Sequence, residues 1–503
     1  MTIYNINFGI GWASSGVEYA QSYRAQLLRL CNEDAKFIFL DFIASENIQT
    51  LTNNLGFKDE EIIWIYQYFT DIPIAPTTYT LQDLQNELGQ PVMYVEDMGE
   101  IQRLYFHHPS QTFVTCYLKN EGEPYVDRAE FVVNGKLIRK DFYSYVRTFS
   151  EYYAPSEQHA KLYMRQFYNE NGTIAYQEII DEDMHMYHFQ DAILYSKEEL
   201  VAYFIQKLNL TAADIILLDR ASHIGQAVLQ NKQQSRVGVV IHAEHFSENA
   251  TDGTHILWNN YYEYQFKNAR FIDFYIVATE LQNTILTEQF RQYTADDPRI
   301  YTIPVGSLKQ LTYPTKDRTP YTIITASRLA SEKHVDWIAR AVIKAKKHVP
   351  ELQFDIYGQG PEHECIQKVI QEHNAENYIH FKGHVDLTHI YAQYELFVSA
   401  SQSEGFGLTL MEAVGSGLGM IGFNVNYGNP TFIHDGQNGY LLDTLATNET
   451  IDAMTDRMAD KIVQYFHHGP KSPHETSYAI AKHFKTTEIV KQWQNLLEEV
   501  RDD

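Results

Sequence analysis

Glu404 and Glu412 stand eight residues apart in SEGFGLTLMEAVGSG (403–417), a stretch that directly follows a predicted strand and opens a helix. Its glycines Gly405 and Gly407 let backbone approach a ligand closely, and the first amides of the helix, at Gly407, Leu408 and Thr409 beside Phe406, face an anion. Glu404 lies in the loop and Glu412 one turn inside the helix, so the two carboxylates can flank one ligand from different directions. One can reach a sugar and the other a ribose. SRLASEKH (327–334) also runs from strand to helix, which puts Arg328 and Lys333 at a strand's C-terminal end, where open α/β sheets bind ligands. Arginine forks two phosphate oxygens and lysine adds a point charge, so the pair can neutralise a diphosphate leaving group without a metal. Between these segments YGQGP (357–361) is a third glycine-rich turn, and KGHV (382–385) follows the next strand. Position 363 is His, so the dinucleotide fingerprint G-x-G-x-x-G fails and NAD binding loses its main support.

Other constellations point to less. His242 and His245 in HAEH have metal-ligand spacing, but no third ligand is close and H-E-x-x-H is not matched, so no metal is expected. Asp181-Glu182-Asp183 offers a D-x-D away from the phosphate loops and reads as a solvated turn. His107, His108 and the many tyrosines around them suit either a peptide-binding groove or the packing of a sheet, since strands favour aromatics for their own sake.

The elements that must position these residues follow from periodicity. Residues 2–30 read as a strand, a loop from Gly9 to Gly16 and a helix, followed by a buried strand in KFIFLDF (36–42). From 77 to 191 short alternating runs are separated by Asn-Gly and Glu-Gly turns, with Asn134-Gly135 and Asn171-Gly172 the strongest hairpin signals. That stretch is expected to be a β-sheet insertion serving acceptor or partner binding. Near-continuous apolar runs in DIILLD, RVGVVIHAEH, DFYIVAT and RIYTIPVG resume a parallel pattern covered on both faces. After a proline-flanked linker at 314–320, YTIITASRL starts a second α/β domain, whose first helix aligns Ile338, Val342, Ala345 and Val349 on one face. Four more strands are expected in QFDIYG, YIHFKG, LFVSAS and GMIGFNV, then one amphipathic helix over 478–503 that crosses back to the first domain. The predicted fold class is thus α/β: two Rossmann-like domains, 1–76 plus 192–313 and 314–477, with the β insertion in the first.

A chain of 503 residues exceeds what one core usually organises, which agrees with this division. Lys plus Arg is 40 against Asp plus Glu 65, a net charge of −25 that repels nucleic acid, so an anionic ligand must be held by a few local cations and amides. Three Cys, widely spaced, argue against a disulfide framework. The opening MTIYNINFGIGW has neither a basic nor an apolar leader segment, and a cytoplasmic protein is expected.

With the E-x7-E motif at Glu404 and Glu412 and the R-x4-K pair Arg328 and Lys333, the chain resembles the retaining glycosyltransferases of the GT-B fold across both α/β domains. The resemblance implies that Glu412 hydrogen-bonds the donor ribose, Glu404 contacts the transferred sugar, and Arg328 with Lys333 hold the diphosphate. It further implies that Gly383, His384 and Val385 contact the base, Gly16 approaches the diphosphate or sugar, and His242 faces the reacting sugar. The insertion together with FGIGWASSGVEYAQ is similar, more narrowly, to the GtfA-type catalytic subunits that move N-acetylglucosamine from UDP-GlcNAc to Ser and Thr of serine-rich-repeat adhesins. That likeness implies no metal and a homologous non-catalytic partner of GtfB type. It also allows peripheral association with the inner face of the cell membrane through the complex. Two other readings stand beside it: a wall teichoic acid (polyol phosphate) N-acetylglucosaminyltransferase, and a catalytically silent acceptor-binding fold twin, against which the intact Glu404, Glu412, Arg328 and Lys333 speak.

Overall fold

The structure, a computed structural model, describes residues 1–11, 16–106, 111–155, 159–220, 222–446 and 449–502. Most of the loop between Gly9 and Gly16, and the pair His107 and His108, lie outside the described residues. The chain divides into two compact units, one of Met1–Ala25, Glu33–Gly238 and Tyr264–Phe271, the other of Gln26–Asn32, Val239–Glu263 and Ile272–Asp503.

In the first unit the strand Thr2–Asn7 pairs in parallel with Ile215–Leu218 on one side and Asp34–Phe39 on the other, and the latter pairs with Ile62–Trp64. Ile3, Ile6, Phe37, Ile38 and Phe39 are fully buried, as strands covered on both faces require. Within this core Arg24 forks the buried Asp219 at 2.7 Å, and Gln21 donates to the same carboxylate at 2.7 Å.

The insertion is a ten-stranded antiparallel sheet in which every strand lies beside the next in sequence, from Tyr94–Asp97 to Ile193–Leu194. Asn134 and Gly135, with φ of 51° and 73°, make the two-residue turn between Val126–Val133 and Lys136–Tyr143. Both central residues are left-handed, the twist that a tight hairpin needs. Asn171-Gly172 behaves differently. Only Gly172 is left-handed, at φ 80°, and the turn is wider, closed by Asn169 N–H to Thr173 O and Gly172 N–H to Asn169 O, each 2.8 Å. Nor is the stretch after 77 all strand: Leu81–Leu88 is a helix, capped by Thr80 and Asp83 and ended by Gly89 at φ 63°.

This sheet shares a core with the parallel strands. Phe42 lies 5.3 Å from Phe149, Tyr66 stacks on Phe167 at 5.8 Å, and Phe167 stacks on Tyr176 at 4.4 Å. The Tyr176 hydroxyl donates to Tyr66 O at 2.6 Å. Tyr143, Tyr176 and Tyr187 are each at most 3% exposed, so of the two readings of the insertion's tyrosines these three belong to packing.

In the second unit a six-stranded parallel sheet runs in the order Ile379–Gly383, Gln353–Tyr357, Thr322–Ala326, Leu396–Val398, Gly419–Phe423, Gly439–Leu442. The sixth strand, Gly439–Leu442, is one more than the sequence predicts, because its short run sits among turn residues. Ile338, Val342 and Ala345 are fully buried on one face of the helix Val335–Ala345, whereas Val349, buried as expected, lies beyond that helix's end. The chain end is not a single helix but two, Pro473–Ala481 and Thr486–Asp502. Between them the backbone leaves the helix to pair with Leu308, which donates to Phe484 O at 2.8 Å and accepts from Thr486 N–H at 2.9 Å.

Candidate active site

Going outward from Thr322–Ala326, the chain first adds Gln353–Tyr357 and Ile379–Gly383 on one side, then crosses to add Leu396–Val398 and its successors on the other. Loops leaving adjacent strands toward opposite sides open a crevice at the strand ends, the usual ligand position in such sheets. Lys333 and Glu404 come from the two loops bordering that reversal, and they meet: Lys333 Nζ lies 2.7 Å from Glu404 Oε2, with side chains 22% and 19% exposed. Arg328 turns outward instead, 73% exposed and paired with Glu332 at 2.8 Å.

The glycine-rich turns have two different tasks. Gly358 and Gly360 let loops approach one another, because a Cβ at either would lie 1.9 Å from Ser327 O or 2.3 Å from Leu329 O. Ser327 N–H donates to Tyr357 O at 3.1 Å, Leu329 N–H to Gln359 O at 2.9 Å and Gly358 N–H to Gly383 O at 2.8 Å. The loop carrying Arg328 is thereby laced to the two beside it. Gly405 and Gly407 lie in the loop that carries Glu404. A Cβ at Gly405 would stand 2.7 Å from His242 O. Gly407, at φ 86°, caps the helix Leu408–Gly415 without a side-chain cap, leaving the first-turn amides at Leu408 and Thr409 to a ligand or water.

The strand-end segment 242–248 packs on this loop. His242 N–H donates to the Tyr262 hydroxyl at 2.9 Å, and its side chain is half-buried. Asn426 donates to Glu248 at 2.7 Å. His245 is wholly enclosed: its Nδ1 accepts from the Tyr427 hydroxyl at 2.8 Å and its Nε2 donates to Gln289 at 2.7 Å. Burial lowers its pKa to about 4, which keeps the ring neutral. His245 therefore braces Tyr427, whose N–H and that of Gly428 hold Glu404 O at 2.7 and 2.8 Å. Among the described residues no group of three or more His, Cys, Asp or Glu could hold a metal ion.

Glu412 accepts from the Tyr391 hydroxyl at 3.2 Å. Burial, with a smaller push from Asp386, raises its pKa to about 7, so near neutrality it can both donate and accept. The turn at Gly383 (φ 72°), His384 and Val385 is an open rim, with Val385 43% exposed. Below it is a cluster that sequence reasoning missed: Asp355 takes a 2.5 Å hydrogen bond from Tyr394 and lies 3.4 Å from Lys382 and 3.1 Å from His380. The one signal was an acidic residue inside the apolar run QFDIYG. Tyr391 and Tyr427 left no signal, because only folding brings them to the glutamates. Gly16 begins the helix Gly16–Leu30 in the first unit, exposed and with open space where a Cβ would be.

Two family models match the chain: "GtfA extended beta-sheet domain" over residues 94–191 and "Glycosyl transferases group 1" over 312–479. The GtfA subunit of the UDP-N-acetylglucosamine–peptide N-acetylglucosaminyltransferase of Streptococcus gordonii is 54% identical over 100% of this chain and 99% of its own. The crystal structure of the pneumococcal O-GlcNAc transferase GtfA in complex with UDP and GlcNAc is 51% identical, covering 100% of this chain and 99% of that one, with a TM-score of 0.93. A crystal structure of a GtfA/B complex matches at 53% identity and TM-score 0.96, over 100% of both chains. Identity of this degree over the full chain, with both domain models matched, makes this chain a member of the GtfA family of UDP-N-acetylglucosamine–peptide N-acetylglucosaminyltransferase subunits, glycosyltransferases of the GT-B fold.

Proposed function

We propose that this chain transfers N-acetylglucosamine from UDP-GlcNAc to Ser and Thr hydroxyls of a serine-rich-repeat adhesin, in the cytoplasm and together with a homologous, non-catalytic partner. The observation that carries the reading is the Lys333–Glu404 pair, a cation and a carboxylate 2.7 Å apart at the strand reversal. Leaving of UDP builds negative charge on the β-phosphate. Lys333, Arg328 swung in from Glu332, and the amides at the start of helix Leu408–Gly415 supply preorganised positive charge for it. Glu404 would then turn from Lys333 to the transferred sugar, and Glu412 would hold the ribose. His242 faces the reacting carbon, and Gly383, His384 and Val385 border the base. Retention follows if the acceptor hydroxyl attacks from the face that UDP leaves and passes its proton to the departing phosphate oxygen.

No metal enters this scheme, because two cations and a helix start can balance the diphosphate. The matched GtfA/B complex and the extended β-sheet domain support a two-subunit enzyme. Among the described residues no helix is long and apolar enough to cross a membrane, and peripheral attachment to the inner face of the membrane through that complex is part of the proposal. The test is incubation of the purified protein, alone and with its partner, with a panel of nucleotide sugars and a Ser-rich peptide, with and without EDTA, read by intact mass. The expected result is addition of N-acetylhexosamine from UDP-GlcNAc only, insensitive to EDTA. Transfer of another sugar, or to a polyol phosphate in preference to the peptide, would overturn it.

A further inference from the structure

Arg318 stands in the proline-flanked stretch 314–320, and its half-buried guanidinium divides its donors between two segments of the candidate site. Nη1 donates to Ala392 O at 3.0 Å and to Tyr394 O at 2.8 Å, both at the short turn Tyr391–Gln393. Nη2 donates to Ser416 O at 2.6 Å, at the end of the helix that carries Glu412, and to the Tyr478 hydroxyl at 3.3 Å. The backbone of the same stretch grips the turn as well, through Thr319 N–H to Gln393 O at 2.9 Å.

On each side Arg318 holds a residue that is itself bonded to a site residue. Tyr394 N–H donates to Tyr391 O at 3.0 Å, and Ser416 N–H donates to Glu412 O at 3.0 Å. The two residues so anchored meet through their side chains, the Tyr391 hydroxyl donating to Glu412 at 3.2 Å. The helix end has other caps: Thr312 N–H donates to Gly415 O at 2.9 Å, the Tyr478 hydroxyl lies 3.1 Å from Ser416 O, and His474 lies 2.7 Å from Gly417 O. Of these groups Arg318 alone reaches the turn too. Its loss therefore leaves the helix end capped but unties the turn from it. The task needs arginine, whose planar fork spreads donors over separate nitrogens, whereas lysine gathers its three on one.

We infer that Arg318 is a positioning residue for donor binding: it fixes the turn of Tyr391 against the helix of Glu412 and so holds the Glu412 carboxyl where it meets the donor ribose. The ribose contact rests on the proposed function, while the clamp between turn and helix does not.

The test titrates the full chain by calorimetry with UDP and with 2′,3′-dideoxy-UDP, which lacks the ribose hydroxyls. Wild type, Arg318→Met, Arg318→Lys, Glu412→Ala and the double variant of Arg318→Met with Glu412→Ala are compared, and amide hydrogen exchange is followed in the free proteins. Arg318→Met should weaken UDP about tenfold, within the usual range for coupled neighbours, and leave dideoxy-UDP nearly unchanged. Arg318→Lys should fall between wild type and Arg318→Met. In the Glu412→Ala background Arg318→Met should weaken UDP no further, because the contact through which Arg318 acts is already gone. Exchange should quicken in Arg318→Met over 391–394 and 408–417 and stay as in the wild type elsewhere. Equal weakening of both nucleotides, or an undiminished effect in Glu412→Ala, would make Arg318 a merely structural residue and overturn the inference, as would wild-type UDP affinity in both Arg318 variants. If Arg318→Met does not fold, the ratio of the two affinities in Arg318→Lys decides. Equal binding of the two nucleotides by the wild type would sink the ribose assignment of Glu412 instead. The exchange data then decide the clamp by themselves: faster exchange in both segments upholds it, and wild-type exchange overturns it.

Discussion

Lys333 and Glu404 are each about one-fifth exposed, so their pair adds little to stability, on the order of 1 kcal/mol or less. Its value is in where the two charges wait. Lys333→Ala and Glu404→Gln should each lower kcat/KM on the order of 10²–10³-fold, the usual loss for one electrostatic contact to a reacting group. Thermal unfolding should change by no more than a few degrees, and steady-state kinetics with unfolding curves check both expectations. Glu412 behaves in the opposite way. Its pKa rises from 4.5 to about 7, so between those values the folded protein binds more protons than the unfolded chain. The stability that Glu412 owes to its neutral form is complete below pH 4.5 and is lost as pH rises through 7. Glu412→Gln should therefore leave stability unchanged at pH 4.5 and raise it on the order of 2–3 kcal/mol at pH 8, measured by urea unfolding without donor. A gain independent of pH would show that the carboxyl is not the buried acid described.

At the scale of elements, the antiparallel sheet and the parallel strands depend on each other. Phe42, Trp64 and Tyr66 are covered by Phe149, Phe167 and Tyr187, and Arg165 places its guanidinium 3.7 Å over the Phe42 ring while binding Glu151 and Glu178. Uncovering a large aromatic costs about 3–5 kcal/mol, and three at once rival the whole net stability of a domain, about 5–15 kcal/mol. Excision of residues 77–191 behind a short linker should consequently yield an aggregated or molten protein rather than a donor hydrolase. Circular dichroism and light scattering of the excised protein would show this. A cooperative unfolding transition and a monodisperse peak would contradict the shared core.

Across the whole molecule, the charge of −25 favours solubility, yet apolar side chains stand exposed near both ends of the ten-stranded sheet. Met93, Tyr94, Val95 and Met98 lie at one end and Met184, Ile193 and Tyr195 at the other. Unpaired sheet edges with apolar side chains are usually covered by a partner. Co-expression with a homologous partner subunit should give a heteromeric mass by light scattering and a higher specific activity toward a Ser-rich protein than the chain alone. A monodisperse monomer with full activity would count against the partner.

Periodicity and turn chemistry were enough for the longer parallel strands, the Asn134-Gly135 hairpin and the helix face through Ile338, Val342 and Ala345, because each is decided within a few residues of chain. The E-x7-E and R-x4-K spacings marked the candidate site for the same reason: the loop at a strand's C-terminal end is set locally. What lies between distant segments had to wait for the fold. His245 is held by Tyr427 and Gln289, 182 and 44 residues away. Glu412 has its altered acidity because burial and Tyr391 surround it. Gly358 and Gly360, which resemble ligand-binding glycines in the sequence, serve contact between loops. The final helix breaks where Leu308 captures the backbone at 484 and 486. Sequence pattern records what a segment prefers, and only tertiary contacts, with the desolvation they impose, decide which partner each polar group meets and which protonation state it keeps.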